Sequence, residues 1–155
     1  MSQHLFDPRR IPADVVLLCR RLADAGYSAY VVGGAVRDLL LHRHDSTRQA
    51  KDFDVATSAH PEQVVAIFGS RRTIPTGIQH GTVTVLCDRL PDATASDATA
   101  TSDKPRHVEV TTFRGETGYT DGRRPDRIEF ISDLVEDLRR RDFTINAIAY
   151  DPLTH

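Results

Sequence analysis

Lysines, cysteines and long hydrophobic runs are all scarce in this sequence of 155 residues. No apolar run is long enough to cross a bilayer, and Val15–Cys19 is too short for the core of a signal peptide. The two cysteines, Cys19 and Cys87, have neither disulfide-framework nor metal-site spacing, which favours core positions in a reducing compartment. We therefore expect a cytoplasmic protein with no membrane partner.

The composition is that of one globular domain with nearly balanced charge. Hydrophobic residues make up 39% of the chain, enough for a single core. The formal net charge of −2 predicts no strong general attraction to nucleic acid. Only Lys51 and Lys104 among the 20 basic residues are lysine. Arginine suits bidentate contacts with phosphate, although a biased genome would give the same skew.

Two aspartates stand two residues apart in the segment Lys51–Val55. On a strand, Asp52 and Asp54 point to one face while Phe53 and Val55 point to the core. Such close carboxylates repel each other, and a divalent cation such as Mg²⁺ relieves the repulsion. The alternative is an amphipathic strand whose polar face simply meets water.

A glycine pair lies about 18 residues before these acids. Gly33 and Gly34 follow a predicted buried strand, Ala29–Val32, and precede a predicted helix, Ala35–Leu41. The helix start offers free N–H groups and a positive dipole end, so the turn predicts an anion site. Arg37, one turn into the helix, adds a guanidinium for phosphate. The alternative is a plain turn followed by a solvated arginine.

The remaining pattern predicts two more helices and two more strands. Proline near the start and glycine after the end mark helices over Pro12–Ala25 and Ser58–Phe68. Alternation of apolar and polar residues marks strands over Thr82–Leu86 and His107–Thr111. Between them, residues 91–105 are rich in Asp, Ala, Thr and Ser without apolar period, which predicts a flexible surface insertion.

Val31–Asp38 and Lys51–Thr57 together resemble the first motif of the class II tRNA nucleotidyltransferases (CCA-adding enzymes) and their bacterial poly(A) polymerase relatives. Further segments resemble later motifs of that family in the same order: Thr76–Val85, Val108–Arg114, Tyr119–Pro125 and Arg140–Ala147. The resemblance implies that residues 1–155 form the catalytic head of such an enzyme. The implied fold is an α/β nucleotidyltransferase (polymerase-beta-like) head, a small mixed β-sheet with helices mainly on one face.

The resemblance also implies a third acid, Glu109. Its neighbours on the predicted strand face the core, so Glu109 faces the other way. If this strand lies beside that of Asp52 and Asp54, the three carboxylates converge, and the family reading has them bind two Mg²⁺ ions. An exposed Glu on an amphipathic strand is the alternative.

The C-terminal motif supplies the implied nucleotide contacts. Arg141 is expected at the incoming triphosphate, as are Gly33, Gly34 and Arg37, while Asp142 and Asn146 are expected at the ribose. The i, i+4 spacing of the last two predicts one face of a helix. The competing interpretation treats Asp142 as a helix cap, and the preceding arginines as cations that stabilise the end of a helix.

Gly115–Pro125 carries three glycines, two acids and paired arginines, which predicts a mobile loop. The resemblance implies that this loop rearranges the site when the final A is added. Within it, Asp121 is the acid expected at the site, and Arg123 or Arg124 is expected to contact nucleotide or RNA phosphate. Solvated loop arginines are the alternative.

The implied reaction is metal-dependent transfer of AMP or CMP from ATP or CTP to an RNA 3′-hydroxyl, with addition of CCA (or A) to the 3′ end of tRNA as the favoured form. A poly(A) polymerase or A-adding enzyme with the same head is one alternative. A non-catalytic nucleotide- or RNA-binding remnant is another. Family members continue into neck, body and tail domains that this chain lacks, so we expect further domains or a partner chain to supply them.

Overall fold

The computed structural model describes residues 5–45, 47–87, 106–117 and 127–154. The helices are α1 (Ala13–Asp24), α2 (Gly34–Leu41), α3 (Pro61–Phe68) and α4 (Leu134–Arg139). The strands are β1 (Ala29–Val32), β2 (Asp54–Thr57), β3 (Thr73–Gly77), β4 (Thr82–Leu86), β5 (His107–Thr112), β6 (Arg114–Thr117), β7 (Arg127–Phe130) and β8 (Ala149–Tyr150). None of the helices described is long and apolar enough to span a membrane.

Six strands form one mixed sheet in the order β3-β4-β5-β2-β1-β8. The central pair, β2 and β5, is parallel, and the other neighbours are antiparallel. The parallel pairing requires a long crossover, which contains α3, β3 and β4. The remaining two strands, β6 and β7, pair with each other as a separate antiparallel hairpin.

The helices α1, α2 and α3 contribute to one core on one face of this sheet. Val31, Val55, Val110 and Val83 are successive register partners across four strands, and each is fully buried in that core. Valine suits these positions because a β-branched side chain packs well on a pleated surface. The fold class expected from the sequence, a mixed sheet with helices mainly on one face, is confirmed.

The opposite face has only a small apolar cluster. Val32, Ala56 and Phe113 are its buried members, and the ring of Tyr30 stacks against Phe113 with 6.3 Å between centroids. Polar residues occupy the neighbouring positions on this face, which leaves room for a functional site.

The β6–β7 hairpin is anchored to the sheet at its base. The N–H of Ile131 donates to the carbonyl of Phe113 at 2.9 Å, and Nη1 of Arg114 donates to the carbonyl of His80 at 3.0 Å. Gly81 has φ +81°, and a Cβ placed there would lie 2.7 Å from the Phe130 ring. Only glycine permits this approach of the hairpin without a shift.

Most of the predicted elements are confirmed, with small differences in their ends. The helix predicted from Pro12 covers Ala13–Asp24, and Gly26 follows it with φ +89°. The helix predicted from Ser58 begins only at Pro61, because a residue before proline avoids the helical region. His60 accordingly has an extended backbone, with φ −71° and ψ 159°.

The prediction of a loop from Gly115 to Pro125 is wrong at its start. Gly115 pairs with Glu129 inside the hairpin, and the strand continues to Thr117. The ladder hydrogen bonds from β7 override the weak strand propensity of glycine. The predicted insertion at 91–105 lies outside the described residues.

Candidate active site

The candidate site lies on the sheet face opposite α1, α2 and α3. Val32, Asp54, Glu109 and Thr84 are successive register partners there, one position away from the valine row in each strand. Since side chains alternate along a strand, the same four strands place valines in the core and two acids on the open face. Asp54 and Glu109 are direct neighbours across the parallel β2–β5 pair.

The environment of Asp54 disfavours its charge. Partial burial raises the pKa of Asp54 to about 6, and the negative charges of Glu109 and Asp52 add to the rise. The nearby Arg141 guanidinium opposes it. The side-chain carboxylate of Asp54 makes no hydrogen bond or ion pair with any residue that the structure describes. A cation at this carboxylate would therefore relieve an unfavourable charge.

Asp52 differs from the strand position expected for it. Strand β2 begins at Asp54, and Asp52 precedes it in a bend with φ +51°. Aspartate tolerates this left-handed region better than most residues. Phe53 and Val55 do point into the core as predicted. Asp52 therefore lies in a bend beside the acid pair. Its position does not follow from the alternation of side chains along a strand.

The three acids do not form a closed cluster in this conformation. Among the residues that the structure describes, no three Asp, Glu, His or Cys side chains are close enough to hold one metal ion. The structure assembles the Asp54–Glu109 pair, with the exposed Asp52 beside it. Carboxylate oxygens remain the ligands that Mg²⁺ prefers, so the donor types fit that ion.

The glycine turn lies at the end of β1, the strand next to β2. Gly33 has φ +75° and precedes α2, whose first residue is Gly34. Amides at the start of a helix have no partner within that helix, and such amides suit an anion. A Cβ on Gly33 would lie 3.9 Å from Nη1 of Arg141. The fold therefore brings the predicted glycine turn and the predicted phosphate arginine together.

Arg37 is held by two of its neighbours. Its Nη1 donates to Oδ1 of Asn146 at 2.8 Å, and its Nε and Nη2 donate to Oδ1 of Asp38 at 2.9 and 2.8 Å. Two predicted nucleotide contacts, Arg37 and Asn146, are thus bonded to each other. Arg37 belongs to α2 itself, whereas Asn146 belongs to the C-terminal segment that packs against α2.

Asp142 and Asn146 do not share one helix. Helix α4 ends at Arg139, Asp142 lies in a bend, and Asn146 closes a short 3-10 helix. Phe143, between them, has φ +60°, which interrupts any regular helix. The prediction of one helical face is therefore wrong. Asp142 is exposed and does not cap α4, whose N-terminal amides bond Asp133.

Sequence reasoning missed Asp137, the one fully buried acid among the described residues. Its Oδ1 accepts from the Arg114 N–H and from Nη2 of Arg140, and its Oδ2 accepts from Nη2 of Arg141. Its sequence neighbours are the exposed Glu136 and the apolar Leu138, and no local pattern distinguishes Asp137 from Glu136 as the buried acid. The other predicted site residues, Asp121, Arg123 and Arg124, lie outside the described residues.

A cleft of about 830 Å³ is lined in part by Arg140, one of the two arginines that pair with this acid. Its lining is the turn before α3, the hairpin and α4, namely Ser58, His60, Gly115, Glu129–Asp133, Glu136, Arg139 and Arg140. The acids predicted to bind metal and the Gly33–Gly34 turn do not line it. We therefore place the candidate site on the open sheet face and not in this cleft.

The fold and this face define an α/β head of the nucleotidyltransferase type. The Bacillus stearothermophilus CCA-adding enzyme, solved in complex with CTP, superposes with a TM-score of 0.67 and 40% identity over 94% of this chain and 28% of that one. A tRNA nucleotidyltransferase solved with a primer tRNA and an incoming ATP analogue gives 0.51 and 27% identity over 85% of this chain and 30% of that one.

Sequence comparison gives the same grouping. The family model of the poly(A) polymerase head domain matches residues 29–155, and the chain belongs to that family. The CCA-adding enzyme of Lactobacillus gasseri is 50% identical over 130 residues, which are 84% of this chain and 27% of that enzyme. The chain thus spans about a quarter of the length of its relatives.

Proposed function

We propose that the protein containing this chain transfers AMP or CMP from ATP or CTP to the 3′-hydroxyl of tRNA, completes the CCA end and releases pyrophosphate. The observation that carries the proposal is the pairing of Asp54 with Glu109 on the open face, one strand away from a glycine turn that lies under Arg141. The relatives named CCA-adding enzymes, one of them bound to CTP, support this choice of substrates.

Asp52, Asp54 and Glu109 are the residues that would hold two Mg²⁺ ions. The raised pKa of Asp54, caused by burial and neighbouring negative charge, fits a carboxylate whose natural partner is a cation. When bound, the ions would supply activation of the attacking 3′-hydroxyl and neutralisation of the triphosphate charge.

The chain's own groups would orient the nucleotide. The amides after Gly33 and the Arg141 guanidinium would bind phosphate oxygens, because free helix N–H groups and arginine both favour anions. Arg37 would join them once its bond with Asn146 is exchanged for phosphate. Asn146 and Asp142 would then be available to the ribose, where hydrogen bonds to a 2′-hydroxyl favour ribonucleotides.

The remaining contacts would come from segments that the described residues do not include. In this proposal Asp121, Arg123 and Arg124 contribute to addition of the last nucleotide, with Arg123 or Arg124 contacting nucleotide or RNA phosphate. Neck, body and tail domains or a partner chain would select the base and bind the tRNA, because the groups on the open face are suited to phosphate and metal.

The test compares the chain alone with the chain joined to the remaining domains of a relative. The chain is incubated with labelled CTP or ATP, Mg²⁺ and a tRNA lacking its 3′ end, first alone and then fused to the rest of the Lactobacillus gasseri enzyme. We expect incorporation by the fusion and none after Asp54→Asn, which removes charge without changing volume. The matched control is Asp45→Asn, a surface aspartate whose carboxylate contacts Thr47 and Arg48 in its own turn.

Each alternative gives its own result. Incorporation of AMP alone, in long tails and on RNA other than tRNA, would favour a poly(A) polymerase. Nucleotide binding without incorporation, unchanged by Asp54→Asn, would favour a non-catalytic binding remnant. Activity of the Asp54→Asn fusion above a few per cent of the parent would contradict the proposed metal site.

A further inference from the structure

Asp137 lies between two arginines that face different parts of the molecule. Arg141 lies over Gly33, while Arg140 lines the cleft beside the hairpin. The carboxylate of Asp137, only 1% exposed, divides its oxygens between them. Oδ1 is 2.9 Å from Nη2 of Arg140, and Oδ2 is 3.1 Å from Nη2 of Arg141.

This arrangement fixes Arg141 from one side only. Nη2 is bound to Asp137, whereas Nη1 faces the position of a Gly33 Cβ at 3.9 Å. The Nε atom is buried and has no hydrogen-bond partner among the described residues. A long arginine side chain has many rotamers, so the single charged contact at Nη2 limits where the rest of the guanidinium can point.

We infer that Asp137 is a positioning residue that aims Arg141 at the glycine turn and thereby strengthens binding of the nucleotide's triphosphate. The inference rests on the proposed function, because it takes that turn as the phosphate site. Asp137 itself touches no substrate. It acts through its hydrogen bond with the Arg141 guanidinium, as an outer group that orients a binding residue does.

Two roles for Asp137 predict opposite changes in triphosphate affinity when its carboxylate is removed. If the carboxylate only neutralises Arg140 and Arg141, its removal makes the site more positive and tightens triphosphate binding. If it orients Arg141, its removal weakens triphosphate binding in spite of the added positive charge. Asparagine separates these roles well, since its amide oxygen can still accept from the Arg114 N–H while its NH₂ group cannot accept from Arg141.

The experiment measures binding of ATP and AMP to the chain in Mg²⁺ by calorimetry. For Asp137→Asn we expect ATP to bind about 10-fold more weakly, the lower end for a lost charged hydrogen bond, and AMP to change less than about 2-fold. Glu136→Gln is the matched control, because it removes the adjacent charge on the same helix, where Glu136 pairs only with the exposed Arg139. It should leave both affinities unchanged.

A double-mutant cycle checks that the effect passes through the arginine. Asp137→Asn should change ATP affinity less than about 2-fold when Arg141 is already alanine. Asp137→Glu is the second variant, should the asparagine protein fail to fold. It keeps the charge but moves it by one methylene, so an orienting role predicts weaker ATP binding and a neutralising role predicts the parent affinity.

The failures are distinguishable. Tighter or unchanged ATP binding by Asp137→Asn, equal weakening of ATP and AMP, or full additivity with Arg141→Ala would overturn the inference while leaving the proposed function standing. A parent chain that binds ATP no better than AMP would overturn both, since the glycine turn would then not be a triphosphate site.

Discussion

The two faces of the central sheet carry opposite chemistry on the same strands. On the helix-covered face, Val31, Val55, Val110 and Val83 form a fully buried row. On the open face, the row shifted by one residue contains Asp54 and Glu109 as direct neighbours. The covered face stabilises the fold by burying apolar surface, whereas the open face places two like charges side by side, which destabilises it.

This difference shows how the chain divides stability from function. Because the alternation has a period of two residues, β2 and β5 need only a few residues each to serve both purposes. Packing of the valine row fixes the position of the strands. Asp54 and Glu109 therefore stay side by side although their charges repel each other. Strained or repulsive groups persist where the surrounding packing holds them.

The largest expected effect comes from breaking the covered face. Val110→Asp places an unpaired charge in a fully buried position, which we expect to lower the free energy of unfolding by about 3–5 kcal/mol. Urea denaturation followed by circular dichroism measures it. Glu109→Gln, the adjacent residue on the open face, is the control and should change stability by less than about 0.5 kcal/mol. Similar losses in both variants would contradict the division between faces.

Sequence patterns predicted the elements whose information is local. Alternation marked β4 and β5, the proline and glycine signals marked α1, and the apolar run before Gly33 marked β1. The same patterns indicated Asp54, whereas Glu109 was expected only from the resemblance to the nucleotidyltransferases. Their direct pairing depends on β2 and β5 being neighbours, which no local pattern can state.

The elements that were missed depend on tertiary contacts. Strand β3 contains Pro75 and has no clean alternation, yet β4 pairs with it. Strand β8 has only two residues and exists because β1 offers a free edge. Asp137 follows another acid, Glu136, in α4, so its burial becomes visible only when Arg140 and Arg141 fold over it.

A smaller effect is expected when an open-site group is removed and the fold is left alone. Asp142→Ala should reduce the preference for ATP over dATP by roughly 1.5–3 kcal/mol, the value of a hydrogen bond to a charged group. Because Asp142 is exposed, the free energy of unfolding should stay the same. Competition of ATP and dATP for the chain, alongside urea denaturation, gives both quantities. An unchanged sugar preference would remove Asp142 from the ribose site.

The smallest expected effect measures how much the ionised acid pair destabilises the fold. The pKa of Asp54 is about 6 in the folded chain against an ordinary value of 3.8, so between those pH values the folded state binds more protons than the unfolded state. Stability from this group is therefore complete below about pH 4 and is lost as the pH rises through 6. Asp54→Asn cannot ionise and escapes that loss.

We accordingly expect the melting temperature of Asp54→Asn, measured without divalent cations, to gain on the parent chain between pH 4 and pH 6.5 and then to stay level. The gain corresponds to about 1 kcal/mol, because the carboxylate is partly solvated and its interactions are screened. Asp45→Asn is the control of opposite sign, since hydrogen bonds from Thr47 lower the pKa of Asp45. Added Mg²⁺ should raise the melting temperature of the parent but not of Asp54→Asn. A flat difference from pH 4 to 6.5 would mean that Asp54 is not held at a cost, and that the open face carries no repulsion for a cation to relieve.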